Sequence, residues 1–346
     1  MDMIDRNSLR QQAAAGGRRV VIPEQTPPAP PSKLERAPPA LLVWAAEGAA
    51  VAFIAVVAAI AHGSALPYVL FPELGALAYD TLKRPHGAWA RAPGMLVLTP
   101  FLAGEVGTLA TQHLSFGPVS VLLVVGVSLL IVRLLRSPIA PAISAGLLPL
   151  VLGDGSWWYP PSLLVGLGLL AGLSQVWRRV AHPHPPTAAA PAHTPARQKA
   201  PHDYSWIPFF IAFIAAASLL ALGVGLRFLL FPPLAVIAYE MFAHAETCPW
   251  ARRPFALTAA CTLAAVAGVL LVGALGPGPL AAACGLVAGV AILRAFDLHA
   301  PPALAVALLP LILAKPDYTF AASVAASTLL LTGLFLGWRK LATARA

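Results

Sequence analysis

Residues 66–80 read LPYVLFPELGALAYD, and residues 226–240 read LRFLLFPPLAVIAYE. Seven of the fifteen positions are identical at an offset of 160, and each stretch is an apolar run interrupted by Phe-Pro. The match continues outward at an offset of 161. Trp89-Ala90-Arg91 pairs with Trp250-Ala251-Arg252, Pro93 with Pro254, and Arg133 with Arg294. Pro141-Ala142 pairs with Pro302-Ala303, Leu147-Leu148-Pro149-Leu150 with Leu308-Leu309-Pro310-Leu311, and Trp177-Arg178-Arg179 with Trp338-Arg339-Lys340. Biased composition can repeat Leu and Ala by chance. It does not repeat Trp, Arg, Pro and Tyr in order at a nearly constant offset, so the chain reads as an internal duplication.

Each copy contains six apolar runs joined by short loops. In the first copy they cover 41–62, 66–82, 93–113, 116–135, 138–152 and 157–177; in the second, 206–225, 227–243, 255–275, 279–293, 299–314 and 318–338. About 20 apolar residues are needed to cross a hydrocarbon layer roughly 30 Å thick. Several runs meet that length, while the second and fifth of each copy are short and read as tilted or broken helices. The expected fold is therefore all-α: a polytopic transmembrane bundle of twelve segments in two parallel six-segment repeats. The expected organisation is a basic, Pro-rich, disordered tail (1–40), a first membrane repeat (41–180), a polar His/Pro/Ala linker (181–203), a second repeat (204–340) and a short tail (341–346). No signal peptide is expected, because the first apolar run begins only near Leu41.

Composition agrees with a lipid-facing chain. Of 346 residues, 58% are hydrophobic and only 11% charged, with a mean hydropathy of +0.77. Soluble domains carry about 25% charged residues. The net charge of +9 would suggest nucleic acid, but its distribution says otherwise. If all twelve runs cross and the N-terminus is cytoplasmic, 21 of the 23 Lys/Arg fall on the cytoplasmic side, leaving only Arg227 and Lys315 outside. This is the positive-inside pattern of an inner (plasma) membrane protein with both termini cytoplasmic. The partners expected are the bilayer with its anionic head groups and a small-molecule or anion substrate, with no nucleic acid. A homo-oligomer is compatible with the pattern.

The repeated features resemble the HPP family of integral membrane proteins. The resemblance rests on the Pro-containing second runs, the basic loops WARAPG and WARRPF, and the Pro-rich openings of the fifth runs, RSPIAPAISAGLLPLV and DLHAPPALAVALLPLI. It covers both copies. His299-Ala300-Pro301-Pro302 carries an inserted Ala relative to the family's His-Pro-Pro, and Pro138 stands where the first copy would carry the His. Some members of that family are implicated in nitrite transport, so the resemblance implies passage of a small polar solute, an inorganic anion such as nitrite among the candidates. The alternatives are a membrane-embedded enzyme acting on a lipid head group through Asp80, His86 and Lys83/Arg84, or a non-transporting scaffold or sensor that uses the basic tail. Three cysteines and no CxxC, Walker loop, nucleotide fingerprint, GxSxG or HExxH leave no catalytic residue, metal site or cofactor to name.

Candidate site residues follow from two rules. Paired Pro-broken segments free backbone groups that a solute can use; these contain Pro72-Glu73 opposite Pro232-Pro233, and Pro141 opposite Pro302 with the nearby His299. Ionisable residues inside apolar runs are expensive and default to functional roles. Glu105, central in PFLAGEVGTLATQH, is the candidate for charge tuning or proton coupling. Tyr79-Asp80 and Tyr239-Glu240 are repeat-equivalent and lie near the basic loops, where they form either a gate with Arg91 and Arg252 or interfacial ion pairs. Arg133 and Arg294 match at inner helix ends, where they draw anions or simply snorkel.

Overall fold

Pro-rich punctuation sets the helices. In a computed structural model, residues 40–64, 67–181 and 204–343 are described. The expected tail before residue 40, the linker from 182 to 203 and the last three residues lie outside them. The first copy forms α1 (Ala40–Gly63), α2 (Glu73–Lys83), α3 (Pro93–His113), α4 (Pro118–Leu134), α5 (Ala142–Leu152) and α6 (Tyr159–Ala181). The second forms α7 (Ile207–Val224), α8 (Pro232–Ala243), α9 (Pro254–Leu275), α10 (Pro279–Ala295), α11 (Pro302–Leu308) and α12 (Tyr318–Thr343). Helices α3, α4, α8, α9, α10 and α11 open on proline, which lacks the N–H that the first turn leaves unbonded and is preset to helical φ. Among the described residues there is no strand.

Six helices, α1, α3, α6, α7, α9 and α12, are long and apolar enough to cross a membrane. The twelve-crossing expectation is met only in part. Helices α2 and α5 have 11 residues each, α8 has 12 and α11 has 7. At 1.5 Å per residue, even the longest of these reaches about 18 Å, short of the hydrocarbon thickness. Proline is the physical cause: Pro72 and Pro232 delay the start of α2 and α8, and Pro310 turns the end of α11 into a 3₁₀ segment, Leu309–Ile312. These four helices form the inside of the bundle. Every residue of α2 from Glu73 to Leu82, of α5 from Ala142 to Val151, and of α11 is buried. The long helices carry the exposed apolar surface, including Leu219, Leu222, Leu263, Leu270 and Leu329.

The 3₁₀ turns Pro67–Val69 and Arg227–Leu230 extend α2 and α8 along a long neighbour. Tyr68 packs edge-on against Tyr159 at the start of α6, and the Leu82 carbonyl accepts from Trp177 near its end. In the second copy Phe228 packs against Phe320, and Phe242 against Trp338, on α12. Both turn-plus-helix units thus run beside 18 residues of a long helix, about 27 Å.

Packing repeats with the sequence. Helix α3 contacts α4, α5 and α6, and α9 contacts α10, α11 and α12. The copies interlock through α5 on α8 and α11 on α2. A Cβ on Gly107 would come 1.9 Å from the Gly146 carbonyl oxygen; 161 residues on, a Cβ on Gly268 would come 2.4 Å from that of Ala307. Glycine is needed where α3 and α5 touch backbone to backbone. Helices α4 and α10 end alike, on left-handed Arg136 (φ 48°) and Asp297 (φ 49°). The Arg136 and Ser137 amides bond Arg133 and Val132 carbonyls, and the Asp297 and Leu298 amides bond those of Arg294 and Leu293. These paired bonds satisfy carbonyls that a helix end otherwise leaves open.

Candidate functional site

At one end of the bundle, polar side chains of the two copies meet. Glu47 on α1 is buried and accepts from Lys83 of its own copy (3.1 Å) and from Arg294 of the other. Lys83 also donates to the Tyr79 hydroxyl at 2.6 Å, and the Arg294 guanidinium lies 4.4 Å from the Trp44 ring centre. Asp80, 2% exposed, pairs with Arg84 one turn on, and His299 of the other copy brings Nε2 within 3.6 Å of it. A related arrangement recurs at the repeat offset. Arg133 faces Tyr204 and Tyr239, as Arg294 faces Trp44, and Glu240 pairs with His244 at 3.0 Å, as Asp80 does with Arg84. The clusters are not identical: Ile207 stands where Glu47 would match, Ala243 where Lys83 would, and Pro138 where His299 would.

Six of the sequence candidates, Tyr79, Asp80, Arg294, His299, Arg133 and Tyr239, therefore lie where the copies touch. The pairs read for Asp80 and Glu240 with Arg91 and Arg252 are replaced by local ones, Arg84 and His244. These sit one helical turn away, where α2 and α8 already hold them in reach. Arg91 is exposed, and Arg252 donates to the Glu246 carbonyl at 3.3 Å. Glu47 is not among the residues that the sequence singles out, and Lys83 enters there only with Asp80, His86 and Arg84 in the lipid-head-group alternative. The available signal was an acid seven residues into an apolar run, at the end that collects the basic loops.

At the opposite end a cavity of ≈ 390 Å³ lies between the copies. Tyr68, Leu152 and Asp154 line it from the first copy, and Phe228, Lys315 and Ser323 are among those from the second. It opens at the surface, since Lys315, Asp317 and Thr319 on its rim are exposed. Asp154 accepts from the Tyr68 hydroxyl and the Ser156 amide, and Asp317 caps α12 by accepting from the Thr319 amide at 2.9 Å. The Thr319 bonds hold the Asp317 carboxyl below the usual carboxylate range. Arg227, beside the cavity, rests on the Phe116 ring and against Gly153. The two basic residues that sequence reading placed apart from all others thus both stand at this end.

No protein-family model, curated protein or solved structure matches this chain. Its chemistry has to be read from its own residues. Among the described residues no group of three or more His, Cys, Asp or Glu could hold a metal ion.

Between the two ends lies the buried interior. Pro141 and Pro302 stand at the starts of α5 and α11, both buried. Glu105 is half-buried, on a face of α3 shared with exposed Leu98 and Leu109; the α3 face that packs against α5 and α6 carries Ala103, Gly104 and Gly107 instead. Glu73 differs from every other acid described. It is 1% exposed, and neither carboxyl oxygen has a hydrogen-bond partner.

Proposed function

We propose that this chain is a twelve-segment inner-membrane transporter that passes a small polar solute between its two repeats, an inorganic anion such as nitrite being the first candidate. One observation carries this reading: at one end the junction between repeats opens as a cavity lined by both, and at the other Glu47–Arg294 ties the repeats together, with His299 close to Asp80. A pathway between repeats with one end open and the other closed is what alternating access requires. The cavity lies within the range of small-molecule sites, about 300–1,000 Å³. Lys315 and nearby Arg227 stand at the open end beside the carboxylates of Asp154 and Asp317, so its charges balance, and it is the resemblance of the Pro-broken segments to the HPP family that points to an anion. If all twelve runs cross, the positive-inside pattern supports an orientation with the cavity outside and the basic cluster and termini in the cytoplasm.

The purified full chain in lipid vesicles, offered nitrite and a panel of other small anions and neutral polar solutes, is expected to accelerate uptake of at least one several-fold over protein-free vesicles. Uptake of the whole panel at the protein-free rate overturns the reading.

A further inference from the structure

Glu73 is the first residue of α2, directly after Pro72, in the centre of the interlocked short helices. The groups around it offer no counter-charge. The titratable side chain facing it is the Tyr159 phenol of α6, whose single proton is donated to the Ala145 carbonyl at 2.8 Å. Helices α11 and α10 bring Leu308 and Leu286 to Gly75, two residues on. The other charged groups on α2, Asp80 and Lys83, lie two or more turns away and are engaged with Arg84, His299, Tyr79 and Glu47. Tyr68, on the turn before α2, is engaged with Asp154.

A carboxylate here would have only the N-terminus of α2 to stabilise it. That interaction is worth up to about 2 kcal/mol, whereas removing an unpaired charge from water costs at least several kcal/mol. Burial outweighs the helix end, so the side chain occupies this position as the neutral acid. A neutral acid with an unused O–H is still a costly group to keep in an apolar core. Its repeat counterpart, Pro233, shows that the fold does not require an acid at this place.

We propose that Glu73 is a proton-binding site that is loaded in this conformation and discharges when the repeats separate at the other end. Discharge breaks the carboxyl O–H bond, leaves the electron pair on the carboxylate and passes the proton to water; recharging is the reverse. The inference builds on the transport reading and names its coupling ion. It moves the coupling role from Glu105, on the outer face of α3, to an acid at the junction of the copies.

Two measurements test it. In infrared difference spectra between acidic and alkaline buffer, the full chain in vesicles should show a buried protonated-carboxyl band. That band should vanish in Glu73→Gln, shift in Glu73→Asp and persist in Glu105→Gln. Coincident wild-type and Glu73→Gln spectra overturn the proposal. In vesicles loaded with a pH-sensitive dye, an inward proton gradient should speed uptake of the transported solute several-fold in wild type, and Glu73→Gln should lose that response. Uptake that ignores the gradient in wild type, or a response retained in Glu73→Gln, overturns the coupling while leaving transport standing. Absence of any uptake overturns the transport reading instead, and the infrared band then decides Glu73 alone.

Discussion

Glu47 shows how one residue can join two copies of a repeat. Its carboxylate is 9% exposed, while Lys83 and Arg294 are 28% and 42% exposed. Removing the acid strands two partly desolvated cations, so Glu47→Ala should destabilise by about 1–3 kcal/mol, below the 3–5 kcal/mol of a fully buried pair. A lower Tm in detergent, smaller in an Arg294→Met background, would show it; equal losses in both backgrounds would mean that the inter-copy pair contributes nothing. Asp317 makes a pH prediction. Its carboxyl is held below the usual range, so its contribution to stability is full above the unfolded value and disappears as pH falls through the folded one. Melting wild type and Asp317→Ala across pH should give a gap at neutral pH that closes in acid.

Helices are where the sequence was most legible. Proline starts and the repeat offset appear in the order of residues, because proline acts on backbone only a few residues away; the left-handed turns at Arg136 and Asp297 carry no glycine to announce them. Close helix contact is less visible. GEVGT in α3 shows two glycines, yet their different neighbours emerge only in the fold: Gly104 meets Leu163 and Tyr159, and Gly107 meets the Gly146 backbone. Gly107→Leu should therefore force α3 from α5, destabilise by about 1–3 kcal/mol or more and lower Tm clearly. The same change at Gly126, with nothing within 4 Å of its Cβ position, should be nearly neutral. Equal effects at the two sites would refute the backbone contact.

For the whole molecule the central question is whether the tied end opens. If it does, a bridge across it must stop flux. Cysteines at positions 80 and 299, where the native side chains approach to 3.6 Å, can be joined by a short bis-maleimide. Background reaction is limited, because Cys248 and Cys261 are buried and Cys284 can be replaced by Ser. Burial also pushes the Cys248 thiol up, away from the reactive thiolate. Uptake should survive in each single variant and be abolished in the bridged double variant. Undiminished uptake after complete bridging would mean that this end stays closed during passage.

The sequence by itself determined the duplication, the apolar runs and their Pro-set boundaries, and the collection of basic residues near particular loops. These are properties of residue order, and they act through local backbone geometry and transfer from water. It did not decide which apolar helices lie inside. A Leu against lipid and a Leu against another helix are equally removed from water, so hydropathy does not separate α2, α5, α8 and α11 from their long neighbours. For the same reason it could not rank the acids. Glu105 and Glu73 both sit in apolar surroundings along the chain, and only the tertiary structure turned one toward the outer face and sealed the other in the core without a partner. Ion-pair choice was decided in the same way: Glu47 and Arg294 stand 247 residues apart and meet because the copies interlock.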